Sequence, residues 1–216
     1  MGKDSLHAIW VDPLAFEALR NGPPYLPEGF ESRLKMAADS VDPVLPKLMG
    51  MFPKGMEMAE LGALVAVLRA ASIIHQTHHW RSSGSSFYGD HLLFERLYND
   101  SVGFIDQVAE RSVGSGNRAL VDARLQANLV HALINYWCSS ADADDTDLGM
   151  IQESLSVEHC VLGCLKSARY DLDQKGQLSD GTDNLLQGVA DKHEEFVYLL
   201  QQRAGVREAS AGYDFR

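Results

Sequence analysis

Five stretches of the chain repeat apolar residues at helical spacing. In "MEMAELGALVAVLRAASIIHQTHHW" the apolar positions fall at 61, 64, 65 and 68, then at 73 and 74, with no glycine or proline after Gly62. Such steps of three and four return to one face of an α-helix. "SSGSS" at 82–86 breaks the pattern, and its serines can cap the next helix. That second helix is predicted from about Phe87 to Val113, ended by "GSGN". "RALVDARLQANLVHALINYW" predicts a third, shorter helix and "LGMIQESLSVEHCVLGCLKSARYDLDQ" a fourth, with the acidic "SSADADDTD" between them. After the turn "KGQLSDGT", "DNLLQGVADKHEEFVYLLQQRA" carries a stripe at 185, 186, 189, 193, 196 and 200. Strand signals are almost absent. The expected fold is all-α: two long helices, a crossover carrying a short one, then two more long helices, which is a four-helix bundle with one long connection.

Ahead of the bundle the pattern fails. "NGPPYLPEGF" and "VDPVLPKLMGMFPKG" are cut up by proline and glycine, and only "EGFESRLKMAADS" reads as a helix of a few turns. The chain therefore divides into a mostly irregular N-terminal extension at 1–55, the bundle at 56–204 and a loose tail at 205–216. With 45% hydrophobic and 23% charged residues it reads as a soluble globular protein. No apolar run reaches the roughly 18 residues of a membrane span. "MGKDSLHAIWVDP" has no apolar signal core, so the cytoplasm is the expected location. Cys138, Cys160 and Cys164 are odd in number and fit a reducing compartment. Cys160 and Cys164, one turn apart, read as packing residues because no third soft ligand is near in sequence.

A net charge of −11 argues against sequence-independent binding to nucleic acid, which depends on lysine and arginine, and suits a protein that attracts cations. The candidate chemistry lies in the predicted second helix. His91 and Glu95 are four apart, and so are Asp106 and Glu110, so each pair shares a helix face. At about 100° per residue, Asp106 falls only about 20° around from Glu95, yet about 16 Å along the axis. One straight helix cannot bring both pairs to one ion. A second, antiparallel copy can. His91 pairs with Glu110, and Glu95 with Asp106, about the same centre, between residues 100 and 101. A two-fold dimer would then hold two equivalent sites, each built from two chains. His79, near the end of the preceding helix, can turn in as a further imidazole. Two imidazoles with three carboxylates suit iron, with zinc or manganese as substitutes, and exclude a thiolate-type centre.

The same residues resemble a family. "HHWRSSGSSFYGDHLLFERLYNDSVGFIDQVAER" is similar to the Dps-type mini-ferritins, read as H-W-x3-G-x2-F-x3-H-x3-D/E-x10-D-x3-E through His79, Trp80, Gly84, Phe87, His91, Glu95, Asp106 and Glu110 without a gap. The resemblance extends more weakly over Met56 to Ala204, where Tyr198 stands in place of the usual tryptophan. It implies a ferritin-like four-helix bundle and a ferroxidase site at a dimer two-fold. His79, His91 and Glu95 would come from one chain, Asp106 and Glu110 from its neighbour. It also implies Fe(II) oxidation, usually by hydrogen peroxide, and ferric mineral stored in a twelve-subunit shell. Glu95 stands where aspartate is usual, and the segment at 114–147 is longer than usual. Neither terminus is a lysine-rich tail, so the family's DNA binding does not carry over. The rival reading is an interaction protein on the same fold that docks on a larger assembly through its N-terminal extension.

Other residues carry weaker expectations. Asp142, Asp144, Asp145 and Asp147 read equally as an iron-entry pore or as a solvated loop with Asp147 as N-cap. Trp80 is a candidate aromatic beside the site. His75 reads as a hydrogen-bonded helix histidine rather than an extra ligand, His193 as a satisfied core histidine, and His78 as a surface residue.

Overall fold

The computed structural model describes residues 44–138 and 146–205. The short helix expected at 28–40, the acids Asp142, Asp144 and Asp145, and the tail beyond 205 lie outside the described residues. The described residues form α1 (Val44–Met49), α2 (Ala59–Arg81), α3 (Phe87–Gly114), α4 (Ala123–Trp137), α5 (Asp147–Gln174) and α6 (Asp180–Ala204), with single 3-10 turns at Gly84–Ser86 and Arg118–Val121 and no strand. The four long helices are α2, α3, α5 and α6, and α4 is the short helix of the crossover. This is the ferritin-like four-helix bundle that the hydrophobic pattern and the resemblance together lead one to expect.

Local chemistry sets the boundaries. The third stretch splits because the Asp122 carboxylate accepts from the N–H groups of Arg124 and Leu125, at 3.0 Å each, and starts a new helix there. Thr146, not Asp147, caps α5: its hydroxyl accepts from Gly149 N–H at 3.1 Å, and Asp147 is the first helical residue. Ser179 caps α6 in the same way, and the helix starts at Asp180, three residues before the expected start at Asp183.

Helix α2 is the axis of the packing. It is apolar on nearly every side, and its residues from Ala59 to Leu68 are all buried. Among the described residues it is also the one helix long and apolar enough to cross a membrane. Its few charged residues sit near its ends and at Arg69, and most of it lies inside the bundle, as in the core helix of a folded domain. Gly62 lets Leu120 and Phe52 press close; a Cβ there would meet them at 3.1 and 3.0 Å. Cys164 is buried in the core and Cys160 packs against it, in agreement with their reading as packing residues. Within the stretch assigned to the N-terminal extension, α1 buries Val44, Leu45 and Leu48 in the same core.

The apolar interior comes in two parts. The larger gathers α1, α2, α4 and parts of α5 and α6. The smaller joins Phe94 and Leu97 of α3 to Met150, Ile151 and Leu155 of α5 and Phe196, Val197 and Leu200 of α6. Where the two meet, buried polar residues intervene: His75 and His78 on α2, Ser154 and Glu158 on α5, and His193 on α6.

Candidate metal centre

His79 lies in the last turn of α2, where main-chain carbonyls lack their helical partners. His91 lies in the second turn of α3. The short connection at 82–86 brings them face to face, with ring centroids 3.7 Å apart and 25° between the planes. Each ring bonds to the other residue's main chain. His79 Nδ1 meets His91 O at 2.9 Å, and His91 Nδ1 meets His79 O at 3.0 Å. A carbonyl oxygen only accepts, so both Nδ1 atoms carry the proton. In the neutral imidazole this leaves both Nε2 lone pairs available. A metal-binding histidine is held in this manner: one nitrogen fixed by an outer hydrogen bond, the other presented to the ion.

Aromatic rings enclose the pair. Tyr98 meets His79 edge-on at 5.4 Å, and Phe87 lies against His91 at 4.9 Å. Glu95, half-buried, follows one turn after His91, while Asp106 and Glu110 are exposed. Glu110 lines an open groove of about 690 Å³ with Glu57, Gln107, Arg111 and Gln177, at the end of α3 remote from His91. One chain thus brings His79 and His91 together, sets Glu95 one helical turn beyond His91, and keeps Asp106 and Glu110 apart from them. Among the described residues, no three His, Cys, Asp or Glu side chains of one chain converge to hold a metal.

The outward face of α3 is partly apolar. Tyr88, Leu92 and Val102 are exposed, as are Trp80 and Ile73 on α2. With Glu95, Asn99 and Asp106 they follow steps of four and three, the spacing of a seam between paired helices. Trp80 is 69% exposed, so within one chain it points away from the core. Asp147 faces the α2–α3 connection, with its carboxylate 3.4 Å from Ser83 N–H.

Sequence reasoning missed a buried polar chain. The expectation that His78 lies at the surface is wrong: it is 2% exposed. Its Nδ1 bonds to Ser154 Oγ at 2.8 Å and its Nε2 to Glu153 Oε2 at 3.0 Å. Ser154 also meets His75 Nδ1 at 3.1 Å. His75 Nε2 and His193 Nδ1 then hold the two oxygens of Glu158, at 2.6 and 2.5 Å. His75 is hydrogen-bonded, as expected, and lies in the core; His193 is a core histidine, as expected, but only its Nδ1 is satisfied. The Nε2 of His193 is buried without a partner. Burial pushes His78 down, against the pull of Glu153. The Glu153 carboxyl is itself pushed up by burial, but hydrogen bonds from His78 and the Cys138 thiol hold it below its usual range. Burial and Glu153 together push the Cys138 thiol up to about 12, so it stays protonated. The signal available in sequence was that His75 and His78, three apart, share a helix face.

The architecture defines a ferritin-like bundle with a pair of oriented imidazoles at one end of α2 and α3. The chain matches no family model. A Brevibacillus brevis protein named "DNA protection during starvation protein" is 28% identical over 123 residues, covering 57% of this chain and 77% of that one. A Nostoc sp. protein named "Nutrient stress-induced DNA-binding protein" is 24% identical over 142 residues, covering 65% and 72%. Among solved structures, DpsC from Streptomyces coelicolor aligns with a TM-score of 0.58 at 24% identity, over 70% of this chain and 89% of its own. Dps from Thermosynechococcus elongatus aligns at 0.55 and 18%, over 71% and 93%. The chain thus shares its fold with the two Dps structures and is similar, at low identity, to the two named proteins.

Proposed function

We propose that two copies of the chain pair through the outward face of α3 and oxidise Fe(II) at two equivalent sites, each completed by both chains. The single observation that carries this reading is the reciprocal bracketing of His79 and His91, two stacked rings whose Nδ1 atoms are both held by main-chain carbonyls, so that each Nε2 can serve as a ligand. Glu95 would add a carboxylate from the same chain, and Asp106 and Glu110 would come from the other. The common centre between residues 100 and 101 and the seam spacing of α3 support this arrangement. The imidazoles fix the position of the Fe(II) substrate; the carboxylates favour the ferric product by charge. Hydrogen peroxide is the proposed oxidant. It takes one electron from each of two Fe(II) ions and, with two protons, leaves as two molecules of water.

The ferric product would be stored in a shell of the same chain, of twelve subunits by the family resemblance, in the cytoplasm, with protection from oxidative stress as the outcome. The Nostoc relative's name includes DNA binding. For this chain the net charge of −11 speaks against it. The test is anaerobic Fe(II) loading of the purified full chain, followed by peroxide, with ferric absorbance and light-scattering mass read together. Oxidation at two sites per dimer, lost in His91→Ala and Asp106→Ala, is the expected result. Oxidation no faster than in buffer would overturn the proposal.

A further inference from the structure

His78 is the sequence neighbour of His79 and faces away from it. Consecutive helix residues point about 100° apart. His79 turns toward α3, and His78 enters the core. There both of its ring nitrogens are engaged by α5, through Ser154 and Glu153, and its ring leans on Phe94 at 5.3 Å, next to Glu95. Its main chain is held as well, for Ser82 donates to His78 O from both N–H and hydroxyl, each at 2.9 Å. The last turn of α2 is thereby fastened to α5 by a side chain and to the following connection by its backbone. Packing alone would be served by phenylalanine. A buried imidazole with two directional bonds does something packing cannot, since it fixes the rotation of the turn about the helix axis. The fastening runs deeper through Ser154 to His75 and Glu158, and Glu153 takes a further bond from Cys138.

We propose that His78 is a positioning residue for His79. Its clamp on Glu153 and Ser154 sets the direction in which His79 Nε2 is presented to a divalent transition-metal ion. The inference rests on the reading of His79 as a ligand. It predicts that breaking the clamp changes the affinity and geometry of the site while the bundle stays folded.

The test uses the full chain, with Co(II) as an anaerobic probe whose visible absorption reports both occupancy and geometry. His78→Phe keeps the ring's volume and removes both bonds; His78→Gln keeps a donor for Glu153. Val157→Ala, in the core of α5 and outside the polar chain, controls for general loosening. Expected is cooperative melting in all three. Co(II) affinity should fall about tenfold or more in His78→Phe, the range typical of lost outer-shell partners, with an altered spectrum. Part should be regained in His78→Gln, with little change in Val157→Ala. Should His78→Phe fail to fold, Glu153→Gln with Ser154→Ala carries the same expectation. Unchanged Co(II) binding in the clamp variants would overturn this inference and leave the metal site standing. An equal loss in Val157→Ala would also overturn it. A wild-type chain that binds no Co(II) would overturn the metal reading and this inference with it.

Discussion

Glu158 has no exposed surface, and it stays charged. Burial pushes its carboxyl up; the imidazoles of His193 and His75, each donating to one oxygen, outweigh that and hold it at about 2. Its folded value lies below the ordinary 4.5. The stability it contributes is therefore fully present above the ordinary value and is lost as pH falls from 4.5 toward about 2. Circular dichroism during acid titration should show an unfolding limb in that window, shallower in Glu158→Gln. At neutral pH, Glu158→Leu strands two imidazole donors and should cost on the order of 3 kcal/mol in denaturant unfolding. Gln, whose amide oxygen still accepts one bond, should cost less. A leucine variant as stable as the wild type would show that the carboxylate does no more than fill space.

Between elements, one tie to the last helix is a fork. Arg203, in the final turn of α6, donates from Nε and Nη2 to the two oxygens of Asp90, at 2.5 and 2.8 Å, and Asp90 is 1% exposed. That bidentate match belongs to guanidinium, so Arg203→Lys is not conservative. It should fray the end of α6 and cost about 1–3 kcal/mol, read as a lower melting temperature and faster amide exchange after Val197. Equal protection in both proteins would refute the tie. The helices themselves were legible in the sequence because burial on one side imposes a period, and α2 through α6 appear where that period stands. What the period could not supply was anything made across elements. The capping of α4 by Asp122 and of α5 by Thr146 is a matter of single hydrogen bonds. The contact of His79 with His91 depends on the turn at 82–86. His78 read as surface because its partners, Glu153 and Ser154, come more than 70 residues later. Spacing along one helix pairs His91 with Glu95 and Asp106 with Glu110, but cannot say what lies opposite them.

For the molecule as a whole, the order of helices around α2 has to be chosen from several that would hide its apolar surface equally well. Grease alone tolerates a neighbour slid by one turn or exchanged for another. The layer where the two apolar regions meet does not. Sliding α5 by one turn would part Glu158 from both His75 and His193 and leave a buried carboxylate without its two donors. The layer works as an address: α5 must lie against α2 and α6 at the level where Glu158 finds both His75 and His193. Rewriting that address in apolar letters, as His75→Leu with Glu158→Leu and His193→Phe, should raise the unfolding free energy by about 1–4 kcal/mol, as for other buried ionic clusters. It should also broaden the amide spectrum and admit hydrophobic dye, the marks of helices that have lost their single arrangement. A more stable variant with spectra as sharp as the wild type would show that the address lies elsewhere. The notch at Gly62, where Leu120 and Phe52 press close, would be the next place to look.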